Sequence, residues 1–343
     1  MVIEFTKDFL EELYLNDKNE FTCLTNLIKN NINENIYSSV SNQNFIYLDY
    51  NTCEFLDEKL ENSKEIVYYK DNWTFILNPV MNLKRLIIVK IGQKRNSLDI
   101  EYNYNFISKL ISKKTKIVVE NINDIHMYKL IINYFNPENK LSTNFDFHGG
   151  NGSQTLQIIE EQINSEEIMV VIADKDQKYF GQINPGSTPV ILGNKIQTYK
   201  YPSECIILEY KNIEALIPYQ VVKENLNPRV KTSFDKLYTN QKNKKWLKYF
   251  DFKKGLSNNL YDGTNILNES LEWWKVQFNS IDILNTYITS HRDDIIRKGI
   301  VRISKEKITL ESLENKSSFE QKEEYKRIGN LVYSWIIANE YYL

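Results

Sequence analysis

Residues 168–181 read IMVVIADKDQKYFG. Five apolar residues and an alanine lead without a break into Asp174-Lys175-Asp176. The apolar run is too short for a helix and rich in β-branched residues, so it reads as a strand buried on both faces. Two acids one residue apart at the end of such a strand form either a solvated turn or half of a metal site. The sequence on both sides decides how much weight each reading carries.

The surrounding stretch, residues 113–228, alternates. KIVVE (116–120) is a short buried-type strand and DIHMYKLIINYF (124–135) follows at helical spacing. STNFDFH (142–148), the turn GGNG (149–152) and a helix over SQTLQIIEEQI (153–163) come next. After IMVVIA there is a loop with Asn184-Pro185-Gly186, then the strand CIILE (205–209) and a helix over NIEALIPYQVV (212–222). This rhythm predicts an α/β unit, a mostly parallel sheet flanked by helices. In such sheets ligands bind at the carboxyl ends of the strands.

That is where the acids fall. Glu120 ends KIVVE, Asp174 and Asp176 follow IMVVIA, Glu209 ends CIILE, and Glu214 lies just beyond. If the strands are parallel neighbours, these carboxylates meet on one rim, where like charges repel unless a cation joins them. All the donors are hard oxygens, which favours Mg²⁺ or Mn²⁺ over zinc. One or two such ions activate water and steady the leaving oxygen of a phosphodiester, with Glu120 as ligand or base. Asp124 opens the following helix and reads equally as a cap or a ligand. Gly149 and Gly150 read either as a phosphate cradle ahead of a helix or as a tight strand-to-helix turn. The GGNG turn lacks the Lys-Ser/Thr of a P-loop, so ATP binding is not signalled.

The flanks differ in texture. Residues 1–112 combine a helical start (FTKDFLEELYL, TCLTNLIKNNI) with strand-like pieces, NFIYLDY, EIVYYK, WTFILN and RLIIVKI, and read as an N-terminal α+β domain. Residues 229–343 read as a C-terminal helical domain whose last helix packs on the sheet unit. Within it, QKNKKWLKYFDFKK (241–254) is rich in lysines and aromatics. Lys244, Lys245, Lys248 and Lys253 suit a nucleic-acid backbone, and the aromatic rings suit unpaired bases. An amphipathic helix with Trp246 and Phe250 inward is the competing reading. Trp273-Trp274 and the aromatic end SWIIANEYYL read as core or a subunit interface, which leaves a homo-oligomer open.

Bulk composition narrows the field. The chain of 343 residues carries a formal charge of −2, so no general basic coat for nucleic acid is present. Cys23, Cys53 and Cys205 form no CxxC pair, and His126, His148 and His291 are scattered. Neither a disulfide framework nor a zinc site is signalled. His148, just ahead of the glycine turn, is placed to touch a phosphate. The acidic start MVIEFTKDFLEELYL is unlike a secretory leader, and no apolar run reaches the ~20 residues of a membrane span. A cytoplasmic protein without a membrane partner is expected.

In its order of motifs the middle unit resembles the Toprim domain, and in particular the OLD-family and abortive-infection nucleases of phage defence. That pattern is a glutamate after the first strand, a glycine-bearing turn after the second and Asp-x-Asp after the third. KIVVENINDIHMY supplies Glu120 and Asp124, FDFHGGNG the turn, and VVIADKDQ the pair Asp174 and Asp176. LEYKNIEALIP is similar to a further acidic segment of the OLD-like branch, with Glu214 as first choice and Glu209 as second. KYFDFKKGLS offers Lys254, before Gly255, as the lysine that assists the site in that branch. Asn121 and Gln177 stand where the family usually has a glycine or small residue. The resemblance implies a Mg²⁺- or Mn²⁺-dependent nuclease acting on DNA or RNA. It also implies an antiphage effector controlled by a separate ATPase partner, because this chain has no Walker motif. The alternative is a catalytically inactive Toprim-like regulatory or assembly subunit.

Overall fold

The computed structural model describes residues 2–37, 44–61, 63–73, 88–92, 100–101, 103–135, 143–151, 154–177, 179–182, 187–225, 231, 247–252, 272–274, 276–277 and 308–337. Lys244, Lys245, Lys253, Lys254, Trp246, His291 and the Asn184-Pro185-Gly186 loop lie outside them.

The middle sheet is the predicted one. Its strands β5 (Thr115–Val119), β6 (Phe145–Gly149), β7 (Met169–Ala173) and β8 (Ser203–Ile207) are all parallel and lie in the order β6-β5-β7-β8. Position in the sheet explains composition. Every residue of central β7 is buried, whereas edge strand β6 is half-buried throughout. Side chains alternate between two cores. Ile117, Val119, Val170 and Ile172 face the main core. Val118, Met169, Val171 and Ala173 face a smaller one with Ile159, Leu192 and Ile196. Those last three come from helices α7 (Thr155–Asn164) and α8 (Ser187–Gln197).

Helix α6 (Ile125–Phe135) lies against the C-terminal helices α10 (Leu310–Lys316) and α11 (Phe319–Ile336). Both C-terminal helices start on a capping box, Thr309 with Ser312 and Ser318 with Gln321. As expected, the last helix packs on the sheet unit. Thr115 Oγ1 donates to Trp335 O (2.8 Å), Trp335 Nε1 donates to Glu204 Oε2 (2.6 Å), and a Cβ on Gly329 would stand 2.5 Å from Phe135 Cβ.

The N-terminal region corrects its sequence reading. It is a second parallel sheet, β1 (Val2–Phe5), β2 (Phe45–Tyr47), β3 (Ile88–Gly92) and β4 (Ile100–Glu101), in the order β2-β1-β3-β4. Helices α1 (Lys7–Asn16), α2 (Lys18–Tyr37), α3 (Tyr50–Lys59), α4 (Lys64–Asp71) and α5 (Tyr104–Ser112) accompany it. The stretch EIVYYK, read as a strand, is helix α4; Ile66 and Tyr69, three apart, are its buried residues. The first strand, VIEF, is too short for a local pattern to signal it.

The two sheets share the main core. Buried Asn44 ties them: its amide donates to Ile111 O (2.7 Å), and its Nδ2 donates to Leu110 O and Lys113 O. Among the described residues no helix is long and apolar enough to cross a membrane.

Candidate functional site

Strand order builds the site. In a sheet ordered β6-β5-β7-β8 the chain winds one way from β5 to β6 and the other way from β5 to β7. A crevice therefore opens between the carboxyl ends of β5 and β7. Val119 pairs with Ile172, which places Glu120 and Asp174 one and two residues beyond that pair. They touch: the amide of Asp174 donates to Glu120 Oε1 at 2.8 Å.

The glycine turn sets Glu120's loop. Ile122 N donates to Gly150 O and Gly150 N donates to Val119 O, while Thr155 Oγ1 donates to Glu120 O. A Cβ on Gly149 would sit 2.4 Å from Ile122 Cα, and one on Gly150 would sit 2.8 Å from Thr155 N. Both glycines are needed for this close approach of backbones, so the tight-turn reading of GGNG has direct geometric support. Asn121 has φ −135°, which requires no glycine, and its Oδ1 accepts from Asn123 N to start a short 3₁₀ turn, Ile122–Asp124.

Four acids act on one buried side chain. Tyr128, on the first turn of α6, is 2% exposed. Burial, then the charges of Asp174, Asp124, Glu120 and Glu214 in that order, hold its phenol well above the ordinary value of 10.0. Asp124 and Tyr128 are four apart, hence on one helical face, and Asp124 is 3% exposed. Glu214 comes from another 3₁₀ turn, Ile213–Leu216, instead of the α-helix expected there. Tyr128 is the residue that sequence reasoning missed. Its only local signal is the spacing from Asp124.

Asp176 adopts a left-handed backbone, φ 55°, and its amide donates to Lys211 O (3.1 Å). With Lys175 N donating to Tyr210 O, this ties the Asp-Lys-Asp loop to the chain beyond β8. Glu209 is engaged elsewhere. Lys248 Nζ donates to its Oε2 at 2.5 Å, Arg327 Nε stands 3.9 Å from its Oε1, and its amide donates to Glu324 Oε1 (2.9 Å). The Lys248 hydrogen bond and charge, with Arg327 and Lys175 beyond, hold the Glu209 carboxyl below its usual range. Arg327 Nη2 also donates to Ile207 O, so this ion-pair network fastens α11 to the end of β8.

The other residues singled out in the sequence divide. Lys248 is tied to Glu209 and stands 5.5 Å over the Tyr210 ring. Phe250 is fully buried, but Phe250–Phe252 are not helical. Trp274 is core and Trp273 packs edge-on against Tyr249. His126 Nε2 bonds Ile308 O and so joins α6 to the C-terminal segment. His148 is half-buried on edge strand β6; burial and Lys116 push its pKa down, and among the described residues its buried Nε2 has no hydrogen-bond partner.

The donor set around Tyr128 is all carboxylate oxygen, which fits a hard divalent cation. Among the described residues no three acidic, histidine or cysteine side chains stand in a ready-made cation cage. No protein-family model matches the chain, and neither does any curated protein or solved structure.

Proposed function

We propose that the chain is a divalent-metal-dependent nuclease with a Toprim-like catalytic unit, an antiphage effector held in check by an ATPase partner. The observation that carries this reading is the meeting of two strand-end acids, Glu120 and Asp174, whose amide donates to Glu120 Oε1 at 2.8 Å, at the crevice between β5 and β7. Acids gathered at one point raise each other's energy unless a cation joins them. The order of motifs, with glutamate, glycine turn and Asp-x-Asp on successive strands, supports the same reading.

In this proposal Glu120, Asp174, Asp176 and Glu214 would hold Mg²⁺ or Mn²⁺, with Asp124 beside them. The cation supplies Lewis-acid charge and an activated water to a phosphodiester. The amide of Asp174 fixes the Glu120 carboxylate.

Purified protein offered plasmid, single-stranded DNA and total tRNA with Mg²⁺ or Mn²⁺ tests the reading. Cleavage that disappears in Asp174→Ala, with the circular dichroism spectrum intact, is the expected outcome. No cleavage of any of the three, with or without the ATPase partner, refutes it. The alternative is a non-catalytic assembly subunit. It is favoured by Glu209, a strand-end carboxylate given over to holding α11. Calorimetry without Mg²⁺ binding at millimolar concentration would select that alternative.

A further inference from the structure

The loop beyond Asp176 carries an aromatic ring in an unusual setting. Phe180 is 69% exposed, although burying such a ring is worth about 1.5–3 kcal/mol. It is not loosely held. Residues 179–182 form a turn in which Gln182 N approaches Tyr179 O at 3.5 Å. Gly181 takes φ 92° in the third position, which leaves Phe180 at the tip. Gln177, the residue that departs from the Toprim pattern, donates from Nε2 to Gln182 O (3.2 Å) and pins the far side of the turn. The ring of Phe180 meets Tyr249 edge-on, centroids 6.4 Å apart and planes at 82°, and Tyr249 in turn meets Trp273 at 5.1 Å. An edge-to-face contact covers at most one flat face of Phe180, in keeping with its exposure of 69%.

A cation neighbours this aromatic pair: Lys175 Nζ stands 6.0 Å from the Tyr249 ring. Phe180 is four positions beyond Asp176, at most about 15 Å of chain. At roughly 3.4 Å per stacked base, that is a few nucleotides from the acids.

We infer that Phe180 is a base-stacking platform that selects single-stranded nucleic acid for the acidic site, with Lys175 nearby for a backbone phosphate. The inference rests on the proposed nuclease reading and names its substrate class. Only an unpaired base exposes a π-face to such a ring; in a duplex these faces are covered by neighbouring pairs.

Binding, measured separately from cleavage, tests it. Fluorescence anisotropy of a labelled single strand and of its duplex is followed in low salt with Ca²⁺, and the oligonucleotide is checked to be intact afterwards. Wild type is expected to prefer the single strand. Phe180→Ala should weaken single-strand binding by at least about fivefold, and Phe180→Tyr should stay within about twofold of wild type. A 2-aminopurine in the strand should be quenched by wild type and not by Phe180→Ala. The inference is overturned if wild type binds no single strand or prefers the duplex. It is equally overturned if Phe180→Ala binds within twofold of wild type, the result expected were Phe180 a contact for a protein partner. Asp174→Ala separates the two claims: if it cleaves like wild type the nuclease site is misplaced, while the Phe180 comparison still decides the substrate class.

Discussion

At the scale of single residues, Asp174 and Tyr128 were read from the sequence with unequal success. The strand-end acids were legible because a buried β-strand announces its end when polarity returns, and parallel strands end on the same rim. Tyr128 was not legible. An aromatic at helical spacing reads as core, and only the strand order brings Asp174 and Glu214 to it. The engagement of Glu209 was equally hidden, because its partners Glu324 and Arg327 lie more than a hundred residues away. Tyr128 yields a pH prediction. Its folded pKa is raised, so the stabilisation is present in full below the unfolded value of 10.0 and is lost as pH climbs above it. Chemical denaturation should show wild type losing stability between about pH 10 and pH 11 more steeply than Tyr128→Phe. Equal slopes would mean that the hydroxyl is not buried among the acids. The glycines give a paired test. Gly149→Ala forces a Cβ against the backbone of Ile122 and should cost about 1–3 kcal/mol. Gly193→Ala, in helix α8 with nothing within 4 Å, should gain up to about 1 kcal/mol. Urea midpoints of the two variants, moving in opposite directions, check both.

At the scale of elements, the long periodic segments were the readable ones. β5, β7 and α11 follow from apolar runs or helical spacing over several turns, and their capping and burial agree with that. The short ones were not. EIVYYK fits a strand and a helix alike over six residues, and the packing of Ile66 and Tyr69 decides for the helix. VIEF has four residues and pairs in parallel with strands about forty and eighty-five positions on, a contact that no local pattern records. Helix α11 is held to β8 by charge as well as by packing. Glu324 has 2% of its side chain exposed beside Arg327, at 2.7 Å. Arg327→Met should destabilise the protein by about 2–3 kcal/mol, because it strands a buried carboxylate. Adding Glu324→Gln should recover part of that loss, since the amide oxygen still accepts from Glu209 N. Thermal melts of the single and double variants measure it; no recovery would place the loss in packing instead of charge.

At the scale of the whole molecule, two parallel sheets with the same strand order sit on one shared core. Sequence texture suggested a break near residue 112, but the bond from Asn44 Nδ2 to Lys113 O and the ring stack of Phe106 on Tyr201 (4.3 Å) cross it. One cooperative melt is therefore expected, and a cation that binds only the folded state should raise its midpoint. A hundredfold excess over Kd adds about 2.7 kcal/mol, a shift of roughly 5 °C for a chain of this size, and Asp174→Ala should abolish that shift. Scanning calorimetry with and without Mg²⁺ reads both outcomes. The matching sheets also differ in how their first strands end. After β1 the chain begins a helix at once: Thr6 caps it and Lys7 is already its first residue. After β5 there is a spacer, from Glu120 through the 3₁₀ turn to Asp124, before α6 starts at Ile125. A strand end that must cap a helix has its polar group committed, whereas a strand end followed by a spare turn can point a carboxylate into a crevice. In a fold of this topology, the length of the first strand-to-helix connection thus decides whether the strand end is taken up by a cap or left a turn of its own.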